Sequence, residues 1–373
     1  MKNNKSYIPG LVLVAFVWLA LSAWCFIKPA DEMSLSERRR LAAFPEISLD
    51  KIQNGSFMSE FEEYTLDQFP MRDEFRTLKA VSSMYIFGQK DNNGIYVADG
   101  YASKLDYPLN EKSVTDAADK LTAIYDRYIK GTGSKVYLSI VPDKNYFLAA
   151  KNGYPAMDYN RMFSLMKENM PYAEYIDITG TLELADYYRT DTHWKQENIA
   201  GAADKIAKAM GNSELDGYET VQTDISFRGV YCGQSALPLQ SEKIKYITND
   251  TLQNCRVLSD DATGFCGYEG MYDFDRLYGN DPYDIYLSGA RPVVRIENPG
   301  AKSGKELIVF RDSFGSSLVP LLAQEYSKIT VFDTRYMVPD LIGSFAEFDN
   351  ADVLFVYSTL LLNKSQAMKD FIY

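Results

Sequence analysis

The stretch KELIVFRDSFGSSLVPLL, residues 305–322, decides the fold. Its first half, KELIVF (305–310), is an apolar run of strand length, the pattern of a strand buried on both faces. A polar break at Arg311-Asp312-Ser313 follows, and apolar spacing then predicts a helix from about Ser316 to Tyr326. A strand that feeds a helix is the repeating unit of an α/β fold. It leaves Ser313 at the carboxyl end of the strand, where open α/β sheets bind ligands. Backbone N–H groups that open the helix can stabilise a developing oxyanion there. Asp and Ser are also common helix caps, so the motif alone reads either way.

Outward from this unit the alternation continues. Strands are expected at KVYLSIVP (135–142), AEYIDI (173–178), PVVRI (292–296), KITVFD (328–333) and DVLFVY (352–357). Ser113 to Lys130 is an amphipathic helix with Ala117, Leu121, Ile124, Tyr125 and Tyr128 on one face, ended by Gly131. Arg161–Asn169 and Lys195–Met210 read as helices, the second with Ile199, Ala203, Ile206 and Met210 turned inward. The implied architecture is α/β, a mainly parallel sheet covered on both faces. Between Phe57 and Ala80 the spacing is helical, interrupted at Pro70. Asn93-Gly94 signals a hairpin turn. Residues 213–290, rich in Tyr, Gly and Asp, interrupt the alternation and read as an insertion over the active edge of the sheet.

The N-terminus carries Lys2 and Lys5 and then IPGLVLVAFVWLALSAWCFI, Ile8 to Ile27, without a charge. That is long enough to cross a bilayer as one helix, with Trp18 and Trp24 toward the outer interface. Residues 1–30 therefore read as a short cytoplasmic tail and a signal-anchor, 31–56 as a linker, and 57–373 as the extracytoplasmic domain. A cleaved signal is the alternative, since Ala20-Leu21-Ser22 has the small-x-small pattern. Arg38–Arg40 weaken the positive-inside argument. Net charge is −12 with no basic stripe, which argues against nucleic acid. Aromatics reach 14%, with 28 Tyr; such rings suit either a sugar-binding surface or a packed core. Four Cys and one His are too few and too scattered for a dedicated zinc site, and Cys232, Cys255 and Cys266 allow one disulfide without requiring any.

The single histidine, His193, lies in RTDTHWKQENIAG (189–201). A serine hydroxyl needs a base beside it, and the base needs a carboxylate to hold its tautomer. Asp191 is two residues from His193, close enough for its carboxylate to reach Nδ1 while Nε2 faces Ser313. A lone loop histidine is more often a solvated or capping side chain. A strand-end Ser, the only His and an Asp beside it together make Ser–His–Asp acyl chemistry the leading reading.

DTHW (191–194) and FRDSFGSS (310–317) resemble the DHHW family and the periplasmic alginate O-acetyltransferases (AlgX/AlgJ-like) of the SGNH-hydrolase superfamily. SERRRLAAFP (36–45), FEEYTLDQFPMRD (61–73), VPDKNYF (141–147), SFRGVYCGQSA (226–236), MYDFDRLYGNDPYDIY (271–286) and DTRYM (333–337) extend the resemblance in the same order. Thr192 departs from the family's namesake motif, which has a second His there. The resemblance implies an SGNH-like α/β/α three-layer fold in permuted order, with Asp191 and His193 preceding Ser313. It makes Ser313 the nucleophile, His193 the base and Asp191 its orienter, with the Ser313 N–H as one oxyanion donor. Arg311, Asn145, Tyr336 and Trp194 are oxyanion or substrate-binding candidates. It further implies an O-acetyltransferase acting on a cell-surface or exported polysaccharide, without cofactor, supplied with acetyl by a membrane-bound O-acyltransferase. A carbohydrate acetyl-esterase and a non-catalytic glycan-binding subunit of an acetylation or export complex are the alternatives.

Overall fold

Eight strands make the central sheet of the computed structural model, which describes residues 7–213, 216–260, 265–301 and 303–371. They are β1 (Lys135–Val141), β2 (Glu174–Tyr175), β3 (Arg256–Asp260), β4 (Phe265–Glu269), β5 (Val293–Glu297), β6 (Glu306–Arg311), β7 (Lys328–Asp333) and β8 (Asp352–Ser358). Their spatial order is β4-β3-β5-β7-β6-β8-β1-β2. The run β7-β6-β8-β1-β2 is parallel, whereas β4, β3 and β5 join antiparallel.

The four inner parallel strands, β7, β6, β8 and β1, are mainly apolar because each buries both faces. Leu307, Val309, Ile329, Val331, Leu354 and Val356 enter one core. Ile308, Phe310, Phe332, Val353, Phe355 and Tyr357 enter the other. This is the period of two expected of a pleated strand. The second core is covered by Glu111–Ile124 and Tyr159–Asn169, the first by Ala200–Ala209 and by residues 314–325. Helices thus lie on both sides of the sheet. From β6 the chain passes to β7 on one side and then to β8 on the other, so the end of β6 is a topological switch point.

The structure departs from the sequence reading in several places. The segment 213–290 is more than a cover: it supplies β3 and β4 to the sheet, and its Glu219–Phe227 strand pairs with Glu242–Thr248. The helix expected from about Ser316 to Tyr326 is α-helical only over Phe314–Leu318 and continues as a 3₁₀ segment, Val319–Glu325. Pro320, which lacks an N–H, sits at that change. The hairpin near residue 93 turns at Asp99-Gly100, between Ile95–Ala98 and Tyr101–Lys104. Both Asn93-Gly94 and Asp99-Gly100 have positive φ, so two turn signals of the same chemistry lie six residues apart. The expected strand at 173–178 shrinks to two residues. Cys255 is a free, buried thiol, pushed up to about 11 by burial; the side chain of Cys266 lies outside the described residues.

The chain divides into two compact units, Met1–Asn93 with Cys232–Pro238, and Gly94–Tyr231 with Leu239–Tyr373. Residues 57–93 therefore group with the N-terminal segment rather than with the sheet. Within that first unit the helices of ten residues or more are α1 (Ile8–Ile27), α2 (Ser56–Asp67) and α3 (Arg72–Val81). The expected linker 31–56 is folded: Met33–Ser34 pairs with Arg39–Arg40, and Arg39 donates two bonds to the buried Asp67 carboxylate, at 2.7 and 2.6 Å. The Ala42 N–H adds a third at 2.9 Å, and Arg72 lies 3.2 Å away. The Arg39 hydrogen bonds, then the Ala42 N–H and the nearby guanidiniums, overcome burial and hold the Asp67 carboxyl below its ordinary value.

A depressed folded-state value means that the stabilisation is complete above about pH 4 and fades as pH falls through the depressed value. Asp67→Asn should cost about 1 kcal/mol at pH 7, because an oxygen that accepts from the partly exposed Arg39 guanidinium is replaced by an amide donor. It should also flatten the acid dependence of amide exchange over residues 31–81. Hydrogen exchange at pH 7 and pH 3.5 checks both; equal acid sensitivity in the variant would refute the assignment.

Candidate functional site

Ser313 stands just past β6 and opens the short helix Phe314–Leu318 without capping it. The cap is supplied by its neighbour: Asp312 Oδ1 accepts the Phe314 N–H at 3.0 Å. Asp312 Oδ2 accepts the N–H and hydroxyl of Ser358, at the end of β8, at 2.8 and 2.6 Å. Asp312 is thereby consumed in tying two strand ends together. The Ser313 hydroxyl remains for other work, and the Ser313 N–H has no acceptor among the described residues.

The Asp191–His193 loop is fixed from several sides. Tyr187 bridges Trp194, and the Tyr188 N–H donates to His193 O at 3.1 Å. Buried Lys144 donates to Tyr188 O at 2.9 Å. The Gly229 N–H donates to Thr190 Oγ1 at 3.0 Å, and the Tyr231 hydroxyl lies 3.2 Å from Thr192 Oγ1. Thr192, the departure from the namesake motif, is thus engaged through its own hydroxyl.

Asp191 is fully buried. Its Oδ1 meets the His193 N–H at 3.1 Å and His193 Nδ1 at 2.6 Å, and its Oδ2 accepts the Val230 N–H at 2.8 Å. Asp191 accepts, so Nδ1 carries the proton and Nε2 presents a lone pair. Nε2 is 2.8 Å from Ser313 Oγ. The Tyr283 ring lies on the imidazole, with centroids 3.9 Å apart and planes within 6°; Phe314 closes a second side at 5.0 Å. Burial holds the Tyr283 phenol well above its ordinary value, so its hydroxyl stays protonated. A carboxylate, an imidazole and a hydroxyl in this line can move a proton from Ser313 Oγ to Nε2 without moving a heavy atom far.

The structure brings Ser313, His193 and Asp191 together, and it places the other sequence candidates elsewhere. Trp194 is fully buried; its Nε1–H donates to Phe314 O at 3.1 Å and Ser317 Oγ at 2.9 Å, so it binds the loop to the helix. Arg311 is likewise buried, against Asp333 Oδ2 at 3.1 Å and Gly289 O at 2.9 Å. Asn145 Oδ1 accepts the Tyr96 hydroxyl at 2.6 Å, inside the protein. Tyr336 is about half exposed, with the Arg335 guanidinium 5.3 Å from its ring centre. The sequence reading missed Tyr283, Val230, Gly229 and Ser317. Gly229 is obligatory for steric reasons: a Cβ there would lie 2.3 Å from Asp191 Cα.

A sequence model described as DHHW protein matches residues 122–332, which include Asp191, His193 and Ser313. No curated protein matches the sequence. Among solved structures, a DHHW family protein from Eubacterium siraeum is 22% identical, with 74% of this chain and 94% of that chain covered, at a TM-score of 0.62. Bacillus cereus PatB1, solved with a sulfonyl adduct, is 18% identical, covering 72% and 95%, at 0.58. The O-acetyltransferase domain of Pseudomonas putida AlgJ is 14% identical, covering 72% and 92%, at 0.44. With its family model matched over more than half of its length and its fold shared with a solved member, this chain belongs to the DHHW family.

Proposed function

We propose that the protein is a membrane-anchored, extracytoplasmic O-acetyltransferase of SGNH-like fold that acetylates hydroxyl groups of a polysaccharide. The observation that carries this is the line from Asp191 through His193 to Ser313, 2.6 Å and 2.8 Å, at the carboxyl edge of the sheet. Ser313 Oγ attacks the carbonyl carbon of an acetyl ester while its proton passes to His193 Nε2. The tetrahedral adduct collapses, the bond to the leaving oxygen breaks, and the imidazolium returns the proton to that oxygen. A sugar hydroxyl then attacks acetyl-Ser313, loses its proton to Nε2 and departs as the acetate ester, restoring Ser313. Asp191 stabilises the imidazolium in each half-reaction. The Ser313 N–H would serve one oxyanion position. Interception by water instead of a sugar hydroxyl would make the same site an esterase.

The anchor is the helix Ile8–Ile27, whose apolar segment has a mean hydropathy of 2.1 and is almost wholly exposed. It would hold the domain on the outer face of the membrane, where a membrane-bound O-acyltransferase can deliver acetyl.

Incubation of the full chain with 4-nitrophenyl acetate, followed by intact-mass and peptide analysis, should place one acetyl group on Ser313. A sulfonyl fluoride should compete for the same residue. Ser313→Ala should take up neither, and equal labelling of both proteins would refute the assignment. His193→Ala should slow acetyl transfer to a soluble polysaccharide by at least ~10³-fold. Asp191→Asn should slow it by about 10²–10⁴-fold, through loss of the tautomer and of imidazolium stabilisation. Gly229→Ala tests the scaffold: the clash with Asp191 should destabilise the protein by ~1–3 kcal/mol and lower Ser313 acetylation even where the variant is still folded, as read by calorimetry and labelling side by side.

A further inference from the structure

The first unit carries a feature the catalytic reading does not use. Helix α3, Arg72–Val81, runs without a break into a π-helical turn, Ser82–Ile86. Phe75, Leu78, Tyr85 and Ile86, with Met71 before and Phe87 after, follow helical spacing. All are exposed: Leu78 61%, Tyr85 72%, Ile86 73% and Phe87 76%. The polar side is already occupied. Arg76 pairs with Glu37 at 3.0 Å, Arg72 lies 3.2 Å from Asp67, and Ala80 is buried. The helix is therefore seated by one face and presents a second, apolar face to its surroundings. A contiguous apolar face of this kind on an extracytoplasmic surface is a binding surface or a liability.

What covers it follows from where the helix begins. Cys25, in the last turn of α1, has its Sγ 3.8 Å from Gln68 O. The Gln68 side chain accepts the Asp31 N–H at 2.8 Å and donates to Asp31 O at 2.9 Å. Gln68 is thus fixed beside the outer end of the apolar helix, and Met71 follows three residues later, within roughly 11 Å of it. From Arg72 to Ile86 the helix then extends about 22 Å. An amphipathic helix that starts at the level of the bilayer surface, with Tyr and Phe among its exposed residues, has the composition of an interfacial helix.

We propose that the Met71–Phe87 face lies in the lipid bilayer interface, as a second membrane contact beside the spanning helix. The inference rests on reading Ile8–Ile27 as a membrane span. Arg72, Arg76 and Lys79 are balanced by Asp73, Glu74 and the Glu37 partner. Attachment therefore comes from apolar burial and needs no anionic lipid.

The test is photolabelling of the full chain in phosphatidylcholine vesicles doped with a phosphatidylcholine bearing a diazirine on its acyl chain, followed by peptide mapping. Adducts should appear in both 8–27 and 71–87. The triple substitution Leu78→Ser, Ile86→Ser, Phe87→Ser should reduce those in 71–87 about tenfold, while labelling of 8–27 and acetylation of Ser313 stay as in the native chain. Adducts confined to 8–27 would overturn the proposal, leaving a partner protein or a second copy as the cover. Labelling of 71–87 that persists undiminished in the triple variant would overturn it equally. Absence of adducts from 8–27 would instead overturn the spanning reading itself; Ser313 acetylation, measured on the same sample, reports on the catalytic reading independently.

Discussion

Asp191 is a carboxylate with no access to water, and much of the surrounding structure follows from making that tolerable. An uncompensated carboxylate in such a place would cost several kcal/mol. Its oxygens instead face three N–H groups. Two come from His193, within the same loop. The third comes from Val230, far along the chain, and it reaches Asp191 only because residue 229 has no side chain. The segment 213–290 is thus part of the site and not an ornament on it: one end completes the carboxylate's coordination and the other, at Tyr283, covers the imidazole face.

That dependence explains which parts were readable beforehand. The strands 135–141, 306–311, 328–333 and 352–358 are marked by continuous apolar runs, a local signal, and they appear where those runs lie. Ser313 at a strand end and the Asp191/His193 spacing are local too, and so the pairing of these three could be anticipated. Tyr283 could not. Its stacking on His193 joins residues ninety apart, and nothing in GNDPYD distinguishes a ring that covers a histidine from one that packs in a core. Arg39 was equally opaque. In SERRR three adjacent cations look like a solvated charge run, and only the fold reveals that Asp67 is buried beneath one of them. Trp194 shows the reverse case: an aromatic next to the lone histidine invites a substrate role, yet its indole N–H is spent inside the protein.

The order along the chain, Asp191 and His193 before Ser313, places no strain on their arrangement, because the relative position of the two halves is set by packing and not by chain order. The hub is Ser317, one helical turn beyond Ser313. Its hydroxyl meets Trp194 Nε1 at 2.9 Å and the Tyr283 hydroxyl at 2.8 Å, and its carbonyl accepts Gln196 Nε2 at 2.8 Å. Side chains four apart share a helix face. The helix that displays the Ser313 hydroxyl therefore grips, one turn later, both the histidine loop and the tyrosine that lies on the imidazole. Between the two serines, Gly315 is needed because a Cβ there would lie 2.6 Å from Arg311 Cβ, and the buried Arg311–Asp333 pair anchors that end of β6 to β7. In RDSFGSS the first serine meets His193 Nε2 because the arginine, the glycine and the last serine hold the helix and the histidine loop in one fixed relation.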